Sequence, residues 1–203
     1  AALDAPDGMD ALRAALSRLG EGGVPREDRY RLAGAAAVYA AAWARRRAGA
    51  EPVAPEAGLG HAADLLRMAT GDRPDEARAA ALDAYLVTVA EHGMNASTFT
   101  ARVVASTRSD AVSVVVSALG ALKGPLHGGA PGPVLDMLDA IGEPERARAW
   151  LEGELASGRR IMGLGHRIYR VRDPRAAVLE RVLEGLERAG VRAPLLRPQT
   201  LSP

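Results

Sequence analysis

The sequence contains no cysteine, only 3% aromatic residues and no long apolar run. Without cysteine there is neither a disulfide framework nor thiol chemistry. This fits a reducing compartment but also many secreted bacterial proteins, and of the two we expect a cytoplasmic protein. No apolar stretch approaches the ~18 residues that a membrane-spanning helix needs, so no membrane partner is expected. The 26 lysines and arginines nearly balance the 25 aspartates and glutamates. A net charge of +1 therefore predicts no nucleic acid partner.

The 203 residues that are present suit one domain, or one domain with a smaller lobe. Hydrophobic residues make up 48% of the chain, and its 22 glycines and 13 prolines stay below the share of ~25–30% that marks low-complexity sequences. The chain is therefore globular. It opens with AALDAPDGMD and ends with LLRPQTLSP, both loop-like and without an initiator methionine. We expect these ends to be cut edges of a longer parent.

Helical spacing of apolar residues recurs along the chain, and no alternating strand pattern or hairpin dipeptide is present. The pattern predicts helices at about 9–19, 25–48, 60–70, 75–91, 96–106, 110–122, 133–141, 143–157 and 174–189. In SDAVSVVVSALGALKG the local valine run favours a strand, whereas its length and small residues favour a helix. We choose the helix, so the predicted fold is all-α.

The segment LAGAAAVYAAAWA is unusually rich in small residues. Small side chains let helix backbones approach closely, so this segment indicates close packing, either in the core or at a subunit interface. Arg45, Arg46 and Arg47 follow at a predicted helix end, where cations complement the helix dipole.

Residues whose side chains could take part in binding or catalysis lie in three short loops. The first, AEHGMNASTFT, contains His92 and Asn95 between two predicted helices. Asn95 or Ser97 could serve only as a helix cap, and a single histidine such as His92 is more often structural than functional.

The second loop, KGPLHGGAPGP, places His127 before two glycines, and Pro131 or Pro133 suits the first turn of the next helix. An imidazole beside a helix N-terminus tends to stay neutral and to donate a hydrogen bond, which suits an oxyanion or an enol. The alternative is a glycine-rich turn in which the histidine is incidental.

The third loop lies in GRRIMGLGHRIYRVRDPRAAVL and contains His166 with six arginines and one acid, Asp173, between residues 159 and 175. Asp173 and Pro174 are typical of an N-cap and a first helical turn, which places Arg175 near a helix start. Spaced arginines beside Gly-His-Arg favour carboxylate or phosphate binding over a solvated basic loop. The four histidines have no metal-ligand spacing, so no metal site is predicted.

Together these segments resemble the citrate synthase family. The matching strings, in the family's order and spacing, are GLGHAADLLRMATG, LDAYLVTVAEHGMNASTFTARVVAST, LGALKGPLHGGAPGPVLDML and IMGLGHRIYRVRDPRA. The Ala-Pro after HGG and the Ala/Arg-rich composition are most similar to the actinobacterial branch that includes 2-methylcitrate synthases.

The resemblance implies a helical homodimer in which a small domain closes over the substrates. Residues 1–127 would supply large-domain helices, including dimer-interface helices, and residues 128–203 part of the small domain, with a hinge at 127–130. The implied activity is acyl transfer: acetyl-CoA or propionyl-CoA is enolised and attacks oxaloacetate, giving citrate or 2-methylcitrate and CoA. CoA would be a substrate and product group, with no permanently bound cofactor.

The same resemblance implies roles for individual residues. His127 would bind the thioester oxygen as the enol forms, and His166 would polarise the oxaloacetate carbonyl. His92 and Asn95 would contact oxaloacetate, and Arg175 would hold a carboxylate. The CoA-binding residues would be Met162, Gly163, Leu164, Gly165 and Arg170.

Carbon-acid chemistry also needs a base, and the family uses an aspartate beyond this segment. No acid in the chain replaces it convincingly: Asp173 is better explained as a cap and Asp136 as an exposed helix residue. This segment alone is therefore expected to be inactive. The alternative is a non-catalytic family member that binds CoA or a keto acid, or that serves as a partner subunit.

Overall fold

The computed structural model describes residues 2–20, 22, 25–125, 127–128, 131–161, 163 and 171–191, and no β-strand lies in these ranges. The all-α prediction is confirmed. The helices are α1 (Gly8–Leu16), α2 (Pro25–Arg47), α3 (His61–Thr70), α4 (Glu76–Val89), α5 (Ala96–Ser106), α6 (Ala111–Leu122), α7 (Pro131–Ile141), α8 (Ala147–Ala156) and α9 (Pro174–Arg188), with 3-10 turns at Ala2–Asp4 and Pro144–Arg146. No described helix is both long and apolar enough to cross a membrane.

Aspartates begin several of these helices, because a short carboxylate accepts the unpaired N–H groups of a first turn. Asp7 accepts the N–H of Asp10 at 2.9 Å, and this bond lowers the pKa of the Asp7 carboxyl. Asp110 accepts the hydroxyl and the N–H of Ser113, which lower its pKa likewise. Stability from these caps is present above the ordinary pKa of 3.8 and is lost as the pH falls through the lowered value.

Two predicted helix bounds were wrong. Helix α1 ends at Leu16 and not at residue 19, since the Ser17 hydroxyl donates to the Ala14 carbonyl and the chain then turns. The predicted helix 143–157 begins as the 3-10 turn Pro144–Arg146 and continues as α8, and Gly142, with a positive φ of 71°, separates it from α7. The valine run is helical, as predicted, and forms α6.

The chain divides into two compact units, residues 1–127 and 128–203. The core of the first unit contains Leu16 of α1, Leu32 of α2 and Val112 of α6. Helix α5 packs against α6, and α3 contacts both α2 and α4. The second unit contains α7, α8 and α9. Identifying these units with the large and small domains of the resemblance stays a prediction.

The alanine-rich segment of α2 contributes to two surfaces. Ala37, Ala41 and Ala42 are buried in the first unit, whereas Ala33 and Ala44 are exposed. One side of the helix therefore packs in the core. The other side leaves small residues at the surface.

The ends of α2 and α3 are joined by one guanidinium. Arg45 donates to the carbonyls of Glu51 and Thr70, both at 2.8 Å. Gly71 follows Thr70 with a φ of +93°, and a Cβ on it would lie 2.6 Å from Arg45 Nη1. The left-handed backbone conformation favours glycine at this position, and a Cβ there would displace the guanidinium from its present place.

Gly71→Ala is expected to destabilise the protein by about 2–3 kcal/mol, because it adds a steric conflict to the cost of a left-handed residue. Gly49 is the matched control, since its φ is +73° and nothing lies within 4 Å of its Cβ position. Gly49→Ala should cost about 1 kcal/mol. Urea unfolding of the two variants measures the difference, and equal costs would contradict the role of Arg45.

Candidate functional site

The loop between α4 and α5 contains His92, which is exposed, and ends at Asn95, the N-cap of α5. Asn95 Oδ1 accepts the N–H of Thr98 at 2.9 Å and the hydroxyl of Ser97 at 2.7 Å. Its Nδ2 faces the His92 carbonyl at 3.5 Å. Capping by Asn95, one of the two alternatives for this residue, is thus observed, and the amide ties the loop to the first turn of α5.

His127 lies five residues beyond the end of α6 and is half-buried. Its N–H donates to the Gly124 carbonyl at 2.9 Å, closing a turn. Before that turn, Lys123 pairs with Asp10 and lies 3.6 Å from Asp7. The bond to Asp10 raises the pKa of Lys123. Helix α1 therefore anchors the chain from which His127 projects.

The imidazole of His127 meets the first turn of α5. The backbone N–H of Ser97 donates to His127 Nε2 at 3.2 Å, and Ser97 Oγ lies 3.0 Å from the same nitrogen. Since a backbone N–H can only donate, the bond assigns the ring lone pair to Nε2 and the ring proton to Nδ1. Such an imidazole can donate from Nδ1 to an oxygen that gains negative charge.

This contact differs from the prediction in two respects. The helix that meets His127 is α5, whereas the sequence pointed to the helix that follows the histidine. Ser97 was considered only as a possible cap, and no local signal shows that it contacts a residue thirty positions away. The contact joins the first and second histidine loops within the first unit.

Most of the third histidine loop lies outside the described residues. This applies to Met162, Leu164, Gly165, His166 and Arg170, so their predicted roles stay predictions. Gly163 is described, with a positive φ of 80°, and a Cβ on it would lie 3.1 Å from Cγ2 of Val134 in α7. Glycine at 163 therefore allows the backbone to approach α7 closely.

Arg175 lies in the first turn of α9, whose N-cap is Asp173, as predicted. The Asp173 carboxylate accepts the Arg175 backbone N–H at 2.9 Å and pairs with its guanidinium through Nε at 3.0 Å and Nη2 at 2.6 Å. One carboxylate thus caps the helix and orients the arginine. A fixed guanidinium plane suits bidentate binding of a further carboxylate.

Neither of the two acids that the sequence analysis weighed as the missing base is available for that role. Asp173 serves as the α9 cap, and Asp136 is exposed on α7. Neither replaces the downstream aspartate that the resemblance implies.

A protein-family model described as citrate synthase, C-terminal domain, matches residues 2–199. Among curated proteins, 2-methylcitrate synthase of Mycobacterium tuberculosis is 44% identical over 183 residues, covering 87% of this chain and 47% of that protein. Citrate synthase of Deinococcus radiodurans is 46% identical over 188 residues, covering 87% of this chain and 50% of that protein.

Solved structures of citrate synthases are also similar to this chain. The citrate synthase of Thermotoga maritima matches with a TM-score of 0.72 at 35% identity, over 97% of this chain and 53% of that chain. The citrate synthase of Pyrobaculum aerophilum matches with a TM-score of 0.72 at 34% identity, over 92% of this chain and 51% of that chain. The chain therefore spans about half the length of the relatives that it matches.

Proposed function

The chain belongs to the citrate synthase family, and we propose that the full-length protein carrying it condenses acetyl-CoA or propionyl-CoA with oxaloacetate. A base removes a proton from the carbon next to the thioester, and the enol carbon attacks the oxaloacetate ketone. The ketone oxygen takes a proton, and water then cleaves the thioester to release CoA. The products are citrate or 2-methylcitrate and CoA.

One observation carries this proposal: His127 Nε2 accepts the Ser97 N–H. The ring is left with its proton on Nδ1, so it can donate to the thioester oxygen as negative charge develops there. A preorganised donor to such an oxygen typically contributes ~3–4 kcal/mol to transition-state stabilisation. His127 is the proposed catalytic residue of the first unit.

The remaining site residues complete the proposal. His166 would donate to the ketone oxygen, and His92 and Arg175 would bind oxaloacetate. The Asp173 pair supports the Arg175 role, because it fixes the guanidinium plane. Arg170 and the backbone at 162–165 would bind CoA as a substrate and product group. The reaction would use no permanently bound cofactor. A cytoplasmic location also stays a proposal.

A thiol-release assay on the full-length protein tests the function. Thiol should appear only when oxaloacetate is present with acetyl-CoA or propionyl-CoA, and the ratio of the two rates gives the acyl preference. The non-catalytic alternative is not favoured, since the relatives described above are named as synthases. Binding of oxaloacetate without thiol release would nevertheless support it.

We propose a homodimer in which a second copy covers a groove of about 700 Å³ on the first unit. Alanines and valines of α2, α5 and α6 line its wall, and charges of both signs stand at its rim, including Arg29, Arg108 and Asp110. Small side chains allow helices to approach closely. Mixed charges allow one surface to complement its own copy about a two-fold axis.

Ala33→Glu in the full-length protein is expected to weaken the dimer at least tenfold, because it places a carboxylate in the wall of this groove. Ala80→Glu is the matched control, since Ala80 is exposed on α4 and does not line the groove. Sedimentation velocity over a concentration series measures both variants. A dimer that tolerates Glu at 33 as well as at 80 would contradict this interface.

A further inference from the structure

The side chain of Asn95 is linked to His127 through one residue. Asn95 Oδ1 accepts the Ser97 hydroxyl at 2.7 Å, and Ser97 Oγ lies 3.0 Å from His127 Nε2. The Ser97 N–H donates to that same nitrogen at 3.2 Å. Asn95, Ser97 and His127 therefore form one continuous series of contacts across two loops.

Both ends of the Asn95 amide are engaged within its own loop and helix. Its oxygen accepts the Thr98 N–H as well as the Ser97 hydroxyl, and its nitrogen faces the His92 carbonyl. An amide oxygen has two lone pairs, so these two donors fill its acceptor capacity. The side chain is thus built into the first turn of α5.

The position of Ser97 depends on this amide. Its hydroxyl has one proton and two acceptors in reach, Asn95 Oδ1 and His127 Nε2. Without Asn95 the hydroxyl would rotate among its staggered rotamers, and the first turn of α5 would lose its cap. The Ser97 N–H that donates to the imidazole would then lose its alignment.

We propose that Asn95 is a positioning residue for His127, which acts through Ser97 and not by contact with the keto acid. This inference rests on the proposed function. It replaces the substrate-binding role that the resemblance implies for Asn95.

Substitution of Asn95 in the full-length protein separates the two roles. Asn95→Asp keeps the acceptor oxygen and caps a helix as well as asparagine, whereas Asn95→Leu keeps the size and removes both functions. We expect N95L to lower kcat at least tenfold, with KM for oxaloacetate changed less than threefold. N95D should retain at least a third of the wild-type kcat with a similar KM.

Binding of the keto acid by Asn95 would give the opposite order. A carboxylate would repel the anionic substrate, so N95D would be worse than N95L and KM would rise in both. That result, or a kcat of N95D below a third of the wild-type value, overturns the inference. Circular dichroism establishes folding, and the N95D result decides the test if N95L does not fold.

A double-mutant cycle tests whether the effect passes through His127. If it does, N95L should cost less than threefold further in kcat in the H127A background, although it costs at least tenfold in the wild-type background. Costs that multiply independently overturn the inference.

The ring nitrogens of His127 provide a measurement that needs no turnover. In histidine-labelled full-length protein, ¹⁵N shifts should show Nδ1 protonated in wild type and N95D, and a mixture of tautomers in N95L. Unchanged shifts in N95L overturn the inference whether or not thiol is released. Altered shifts in N95L, together with no thiol release by the wild-type protein, would contradict the proposed function but support the positioning of His127 by Asn95.

Discussion

Replacing His127 with alanine in the full-length protein is expected to lower kcat at least a hundredfold while oxaloacetate still binds. The imidazole is held through Nε2 by the Ser97 N–H, and in the proposed function its Nδ1 proton would serve an oxygen whose charge grows only during enolisation. An interaction of that kind stabilises the transition state more than the bound ground state. Removing one such donor typically costs ~3–4 kcal/mol of transition-state stabilisation.

Two measurements separate this role from a general loss of structure. Thiol release gives kcat, and calorimetric titration gives the dissociation constant for oxaloacetate. His61→Ala is the matched control, because His61 is the exposed first residue of α3 and lies outside the three histidine loops. Its kcat should stay within about twofold of the wild-type value. Unchanged turnover in H127A, or equal loss of turnover and of oxaloacetate binding, contradicts the assignment.

The fold was largely predictable from local signals. Apolar spacing gave the helices, and side chains that favour caps gave several of their starts, such as Asp7 and Asp173, because both signals act within a few residues. Some helix ends were wrong, since the end of α1 depends on a Ser17 hydrogen bond that competes with further helix. The two surfaces of α2 also could not be separated, because burial depends on which helices pack against it.

The sequence singled out the residues of the candidate site, whose roles stay predictions, but it could not predict their contacts. His92, Asn95 and His127 stood out from glycine-rich or helix-capping surroundings. The contact of His127 with Ser97 is tertiary and joins loops thirty residues apart. Likewise, Asp173 was predicted as a cap, and its pairing with the Arg175 guanidinium followed only from the side-chain geometry.

Arg175→Leu is expected to weaken oxaloacetate binding at least thirtyfold and to change CoA binding less than threefold. Arg175 is three-quarters buried beside Asp173, at 25% exposure. A charge-assisted bidentate bond at such a position contributes more than an exposed ion pair, on the order of 2–3 kcal/mol. The helix cap should survive, since Asp173 accepts the backbone N–H of residue 175 at 2.9 Å.

Two control variants show whether geometry or net charge is responsible. Arg172→Leu removes the same charge three residues away, where the guanidinium pairs with Glu180 at 65% exposure. It should change oxaloacetate binding less than threefold, because exposed charges are screened by solvent and salt.

Arg175→Lys keeps the charge but not the planar fork, so it should recover only part of the lost affinity. Equal weakening by R172L and R175L would mean that the arginine-rich segment attracts anions only through its net charge. Equal loss of oxaloacetate and CoA binding in R175L would contradict a carboxylate site at Arg175.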